Sequence, residues 1–295
     1  MKMRIVSGFL FSVITISMMI LSVKSVCGHT VWTQRNSPGP WTVVLYHCDD
    51  EDVHEGSVIQ EAGGKPNLNL LIGPPEGEGL ESTNQVPQAI LSRAIIGNST
   101  QYCVASGTTA HPAGDMSIEF WCRFLEIGAD IQLGFMDGVS LRLRISPDGD
   151  RFQLMGLNVQ DVDDTRYAAP GFASFPPVGT WHHYGVTIHA PNVIQLENGN
   201  YQYGEGCFAK FYYDSHIVGF VDQRQTDLTG LEFAPAAAPA ILIHQGRAVF
   251  DEFMISSVDW SDPVGHGGSG HGGIGQDHAF ENGRQPVVVT DWHFY

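Results

Sequence analysis

Three kinds of side chain in this sequence stand where they could do chemistry: adjacent histidines, clustered acids, and tryptophans on alternating segments. In "TWHHYGVTI", residues 180–188, His182 and His183 follow Trp181 directly. Two imidazoles that hold one metal ion must share a face. The stretch alternates like a strand, so neighbours point to opposite faces. His182 goes with Tyr184, Val186 and Ile188; His183 goes with Trp181, Gly185 and Thr187. The pair is therefore expected to be structural. The acidic run Asp161 to Asp164 has turn composition and lacks the spacing of a calcium loop, so it reads as a polar loop. Trp121 in "MSIEFWCRF" (116–124) points away from the face of Ile118, Phe120, Cys122 and Phe124. That makes it the candidate ligand-binding residue, an aromatic platform for a sugar ring. The sequence has no G-x-S-x-G, H-E-x-x-H or P-loop pattern, and no dinucleotide-binding glycine motif in a strand–turn–helix setting. Catalytic residues are expected to be absent, and the chain is expected not to be an enzyme.

The elements that must position these residues are strands. Long amphipathic helical patterns are absent; short alternating runs bounded by turn residues recur instead. They include "WTVVLYH" (41–47), "MSIEFWCRF" (116–124), "DIQLGFM" (130–136), "WHHYGVTI" (181–188), "AILIHQ" (240–245) and "AVFDEFMISS" (248–257). "SLRLRI" (140–145) and "RFQLMGL" (151–157) flank Pro147-Asp148-Gly149 and make the clearest hairpin. Leu141, Leu143 and Ile145 face one way there, and Arg142 and Arg144 the other. Residues 208–214 and 216–222 form a second hairpin. Strands this close together, with no helix between them, predict an all-β, antiparallel two-sheet sandwich over 41–260. Residues 50–88 are rich in Gly, Pro and acids and read as loops over the rim.

The ends read differently. Lys2 and Arg4 precede an uncharged apolar segment, residues 5–23, with small residues after it. Residues 1–28 therefore read as a signal peptide, with an uncleaved anchor as the alternative. A lead-in, 29–40, follows. Residues 261–285, which include His266, His271 and His278 among many glycines, read as a flexible Gly/His-rich linker. Residues 286–295 return to β-type residues. They read as a C-terminal strand that docks on its own domain or extends a partner's sheet edge.

The net charge is −17. Loss of Lys2, Arg4 and Lys24 with the leader makes it more negative still. Such a surface repels nucleic acid and anionic lipid, so neither is an expected partner. Membrane contact would come only through an uncleaved leader. Cys48, Cys103, Cys122 and Cys207 allow either two disulfides in an oxidising compartment or buried free thiols. Cys122 favours the thiol, since it alternates in phase with apolar neighbours.

The order of these stretches resembles the LamG-like jelly-roll domain of the concanavalin A-like lectin/glucanase superfamily. The likeness is carried by "VVLYHCDDE", "MSIEFWCRF", "GTWHHYGVTI", "FYYDSHIVG" and "VFDEFMISS". It departs at Ser215, where the family's turn has Gly. The resemblance implies a jelly-roll sandwich, and at His183 a structural or rim role. It also implies calcium as the cofactor, with Asp251 as a metal ligand of hard oxygen type. Glycoside hydrolases of this superfamily carry Glu-x-Asp-x-Glu on one strand. The nearest run here, Glu51 to Glu55, has Val53 at the middle position and reads as a solvated loop. The reading that follows is a secreted or cell-surface, non-catalytic recognition module that binds glycan or an extracellular protein. The alternatives are a polysaccharide-cleaving enzyme on the same fold, and a structural surface or assembly protein.

Overall fold

The computed structural model describes residues 29–31, 38, 40–50, 56–73, 81–83, 94–97, 101–146, 149–159, 167–170, 178–213, 216–217, 227–257 and 287–289. The leader, the Gly/His-rich linker, Glu51–Glu55, the Asp161–Asp164 run and Ser215 lie outside them. Among the described residues no helix is long and apolar enough to cross a membrane.

Two sheets make the body of the chain. In chain order their strands are β1 (Thr42–Tyr46), β2 (Val58–Ile59), β3 (Leu70–Ile72), β4 (Glu81–Thr83), β5 (Ala94–Gly97), β6 (Gln101–Ala105), β7 (Met116–Phe124) and β8 (Asp130–Phe135). Then follow β9 (Ser140–Ser146), β10 (Gly149–Met155), β11 (Ala168–Pro170), β12 (His182–His189), β13 (Phe208–Tyr213), β14 (His216–Ile217), β15 (Pro239–Gln245) and β16 (Ala248–Ser256). The first sheet runs β11-β10-β9-β8-β15-β6-β3-β2. The second runs β14-β13-β12-β7-β16-β5-β4, with β1 also paired to β16. All these pairings are antiparallel. The two closing strands, β15 and β16, sit inside the two sheets, as a jelly roll requires. The chain is an all-β antiparallel sandwich.

Alternation builds the core. Ile118, Phe120 and Cys122 of β7 face Leu133 and Phe135 of β8, Leu141 and Leu143 of β9, and Ile241 of β15, all essentially without solvent contact. Phe152 of the first sheet lies 5.7 Å from Phe211 and 6.2 Å from Tyr184 of the second. Burying a side chain of this size stabilises by about 2–3 kcal/mol. Cys48, Cys103, Cys122 and Cys207 are buried free thiols.

Strand β16 breaks the alternation, and the reason is local. Phe250 faces the core, Glu252 would be next in phase, but Phe253 and Ile255 take the inward places. The register shifts between Asp251 and Met254, and Glu252 adopts φ 48°. This is a β-bulge, which moves the following side chains to the other face. Asp251 Oδ1 accepts the Glu252 backbone N–H at 2.7 Å and holds the bulge.

Residues 50–88 correct the expectation of rim loops. They contain β2, β3, β4 and a 3-10 turn, Pro66–Leu68. Leu68, Leu70 and Ile72 are buried at every second position, so a half-buried strand lies inside a polar stretch. The short segments His29–Val31 and Val287–Val289 pair antiparallel as a separate two-stranded sheet.

His111 is a buried polar group that the core has fully engaged. Its Nε2 accepts the Val139 N–H at 3.1 Å, and its Nδ1 donates to the Pro112 carbonyl at 2.9 Å. Its ring lies 4.2 Å from Phe233 and 4.8 Å from Phe135, centroid to centroid. Burial pulls its pKa down to about 4.

Candidate functional site

The outer face of the first sheet carries an ordered row of side chains. Strand alternation sends Leu141, Leu143 and Ile145 inward and Arg142 and Arg144 outward. Cross-strand register then aligns Tyr102, Leu242, Gln132, Arg142 and Gln153 on one face of β6, β15, β8, β9 and β10. At the ordinary strand spacing this row spans roughly 19 Å. That is the length of an oligosaccharide or a peptide, not of one small ligand.

The middle of the row is held by hydrogen bonds. Arg142 Nε and Nη2 donate to Asp130 Oδ1 and Oδ2, each at 2.7 Å. Their side chains are 11% and 8% exposed, so this bidentate pair is largely desolvated. Gln132 Nε2 donates to Ser140 Oγ at 2.7 Å, and His244 Nε2 meets Gln132 Oε1 at 3.0 Å. Burial and, next, the Arg142 guanidinium push the His244 pKa down, with Asp130 opposing them. His244 is therefore neutral at pH 7, and its Nε2–H donates to Gln132. Planar polar groups fixed this way lose little freedom when they bond a ligand.

At the β2 edge the face becomes apolar. A groove of about 400 Å³ runs between Leu71, Gly73, Tyr102, Val104 and Ser106. Tyr102 is 43% exposed and Leu71 45%. Gly73 donates its N–H to the Tyr102 carbonyl at 2.9 Å. A Cβ on Gly73 would stand 2.3 Å from the Tyr102 ring, so only glycine lets that ring come this close to the backbone.

The second sheet's outer face holds the residues singled out in the sequence. Trp121 is 7% exposed, with the His183 ring 5.3 Å away. Asp251 is fully buried, directly across from Trp121 on β16. His183 Nε2 lies 3.4 Å from Glu119 Oε2. His182 turns the other way and stacks on Tyr213 at 4.6 Å, while its Nε2 meets Thr180 Oγ1 at 2.6 Å. The two histidines thus serve opposite faces, as alternation demands. Among the described residues no three His, Cys, Asp or Glu side chains are grouped to hold a metal ion. Asp251 spends Oδ1 on the bulge, and Glu252 binds His47 at 2.7 Å. Among the described residues these carboxylates alone fall short of the six to eight oxygens that calcium takes.

Sequence reasoning singled out Trp121 and Asp251 separately, and the structure sets them opposite one another, but it did not single out Tyr102, Gln132, Asp130, Arg142 and His244. A signal was present: Arg142 and Arg144 alternate in the clearest hairpin, and "DIQ" opens the strand beside it. Which residues meet across strands is set by register, and β15 and β6 are distant in sequence.

No protein-family model matches the chain, and no curated sequence matches it. The structure is similar to domain 4 of AbnA, a GH43 extracellular arabinanase from Geobacillus stearothermophilus, in complex with arabinotriose. The identity is 11%, the TM-score 0.48, and the match covers 82% of this chain and 98% of that one. It is also similar to the botulinum neurotoxin serotype D binding domain (10% identity, TM-score 0.45, 74% of this chain and 48% of that one). A third likeness is to Trypanosoma rangeli sialidase (9%, 0.44, 75% and 31%). The chain thus spans about half of the toxin domain and a third of the sialidase. At these scores the likenesses assign neither ligand nor activity to this chain.

Proposed function

We propose that this chain is a non-catalytic recognition module of LamG-like, concanavalin A-like type, exported from the cytoplasm, that binds glycan on the outer face of its first sheet. One observation carries the reading. A row of hydrogen-bonded planar polar groups (Gln132, Arg142, His244) lies on the same face as a half-exposed aromatic ring, Tyr102, packed close against Gly73. Sugars present exactly two surfaces to a protein, hydroxyl edges and apolar ring faces. Fixed amide, guanidinium and imidazole groups bond the first, and an aromatic face stacks on the second.

The test is retention of the full chain on immobilised polysaccharides, with and without chelator, beside Tyr102→Ala. We expect retention by the wild type, indifferent to chelation, and a loss of about tenfold in affinity for the variant. Tyr102 is half open, so its loss leaves the Tm nearly unchanged. Retention that vanished on chelation would return calcium and Asp251 to the account.

A second reading, polysaccharide cleavage, has one observation in its favour. Glu119 stands two residues before Trp121 on β7 and Asp251 stands across from Trp121 on β16, and glycoside hydrolysis needs two carboxylates. Both are nearly or wholly buried, 2% and 0% exposed. The binding reading expects no new reducing ends from any substrate. Release that disappears in Glu119→Gln would establish the enzyme instead.

A further inference from the structure

Strand β15 carries an extra residue where it crosses the candidate face. Ile243 pairs with Ile131 of β8, but Asp130 pairs with Gln245, so His244 has no residue opposite it on that side. The other pairings of the first sheet run without a shift among the described residues. A bulge interrupts the ladder and re-aims a side chain, a device that recurs beside functional sites. The side chain delivered here is His244, exposed on the face and bonded to Gln132.

The hydrogen bonds fix what this imidazole offers. Gln132 Nε2 donates to Ser140 Oγ, which leaves Gln132 Oε1 toward His244. A carbonyl oxygen only accepts, so His244 Nε2 carries the proton. In a neutral imidazole the other nitrogen, Nδ1, is then a bare acceptor. It has no partner among the described residues. The charged and titratable groups around the ring are Asp130 of β8, Arg142 and Arg144 of β9, and Tyr102 of β6. Arg142 and Asp130 are bonded to each other. Burial first, and Arg142 next, keep the ring neutral at pH 7 against the pull of Asp130.

We infer that His244 reads a hydroxyl of the bound glycan: its bare Nδ1 accepts the sugar O–H, and acid releases the ligand by protonating that atom. The inference rests on the glycan reading of the face. The Gln132 amide and the Arg142 guanidinium offer N–H donors, and Nδ1 is the acceptor beside them. A hydroxyl both donates and accepts, so it satisfies such a pair. A carboxylate or sulfate only accepts, and would set its charge against the bare lone pair. When Nδ1 takes a proton the lone pair is gone, and the face offers donors alone. The ligand therefore binds the neutral ring. Affinity is constant while the ring is neutral and falls as it charges, which for this ring happens below the ordinary value of about 6.5.

The experiment measures the affinity of the full chain and of His244→Gln for soluble oligosaccharides of glucose, xylose and arabinose at pH 7, 5.5 and 4. These ligands are neutral and carry no proton that titrates in this range. We expect wild-type affinity for at least one of them to fall about fivefold or more from pH 7 to pH 4. The variant is expected to bind more weakly at pH 7 and to stay flat, because an amide does not titrate. His111 also charges in acid, so folded fractions are followed in parallel; both proteins share it. An NMR titration of His244 in the wild type, with and without the same oligosaccharide, decides the point even where the variant fails to bind. The ligand selects the neutral ring, so its presence is expected to lower the pH at which His244 charges. Wild-type binding that ignores pH, a variant that weakens in parallel with the wild type, or a His244 titration unmoved by the ligand would overturn the inference and leave the glycan reading standing. Binding of none of the three sugars at pH 7 would remove both.

Discussion

Replacing Asp130 with Ala will destabilise the fold by about 3 kcal/mol, and replacing Asp130 and Arg142 together with Leu and Met will not. The asymmetry follows from desolvation. Both side chains are about nine-tenths shielded, and both carboxylate oxygens are used by Arg142. Removing the acid alone leaves a buried guanidinium with nothing to balance it. Removing both charges exchanges a desolvated pair for apolar contact, which is near neutral or mildly stabilising in comparable cases. Denaturant midpoints of the three proteins decide the point. The same pair has a second use. The double variant keeps the sheet but strips the row of its guanidinium, so it separates the residue's role in folding from its role in binding.

Acid will cost the protein about 3 kcal/mol between pH 6.5 and pH 4 through His111 alone. The folded-state pKa is lowered to about 4 by burial, from an ordinary value of 6.5. Between those values the unfolded chain binds the proton and the folded chain does not, so stability rises with pH across the window. The contribution is fully present above pH 6.5 and is lost as the pH falls through the folded value. The geometry gives the same sign. Nε2 already accepts the Val139 N–H, and protonating it would break that bond between two phenyl rings. Asp50 works in the opposite direction, because burial raises its carboxyl pKa. The readout is therefore a difference: unfolding free energies of wild type and His111→Gln at pH 7, 5.5 and 4. The variant starts less stable and should lose about 3 kcal/mol less on acidification. Parallel curves would remove His111 as the titrating group.

The strands were legible wherever alternation was strict. "MSIEFWCRF" became β7 residue for residue, and β9 pairs antiparallel with β10 as the hairpin reading expected. Alternation failed in two informative places. In β16 the bulge at Glu252 shifts the phase, so "FDEF" reads correctly only once an extra residue is allowed. In β3 the short run from Leu68 to Ile72 is embedded among glycines, prolines and acids, and composition outweighed period. The candidate face was less legible for a different reason. Tyr102, Leu242, Gln132 and Arg142 lie far apart in sequence and meet only through register. The need for glycine at Gly73 shows only once Tyr102 is seen lying over it. Trp121, by contrast, was read correctly as facing away from the core strand face. Its 7% exposure depends on what lies over that face, which alternation does not reveal.

The measurement that tests the account most directly is titration of the full chain, the Tyr102→Ala variant and the Asp130→Leu/Arg142→Met variant with whichever polysaccharide the wild type retains. The account predicts saturable binding by the wild type and a loss of about tenfold or more in each variant, with the double variant as stable as the wild type. Wild-type affinity in both variants would contradict it, because the glycan would then lie elsewhere on the chain.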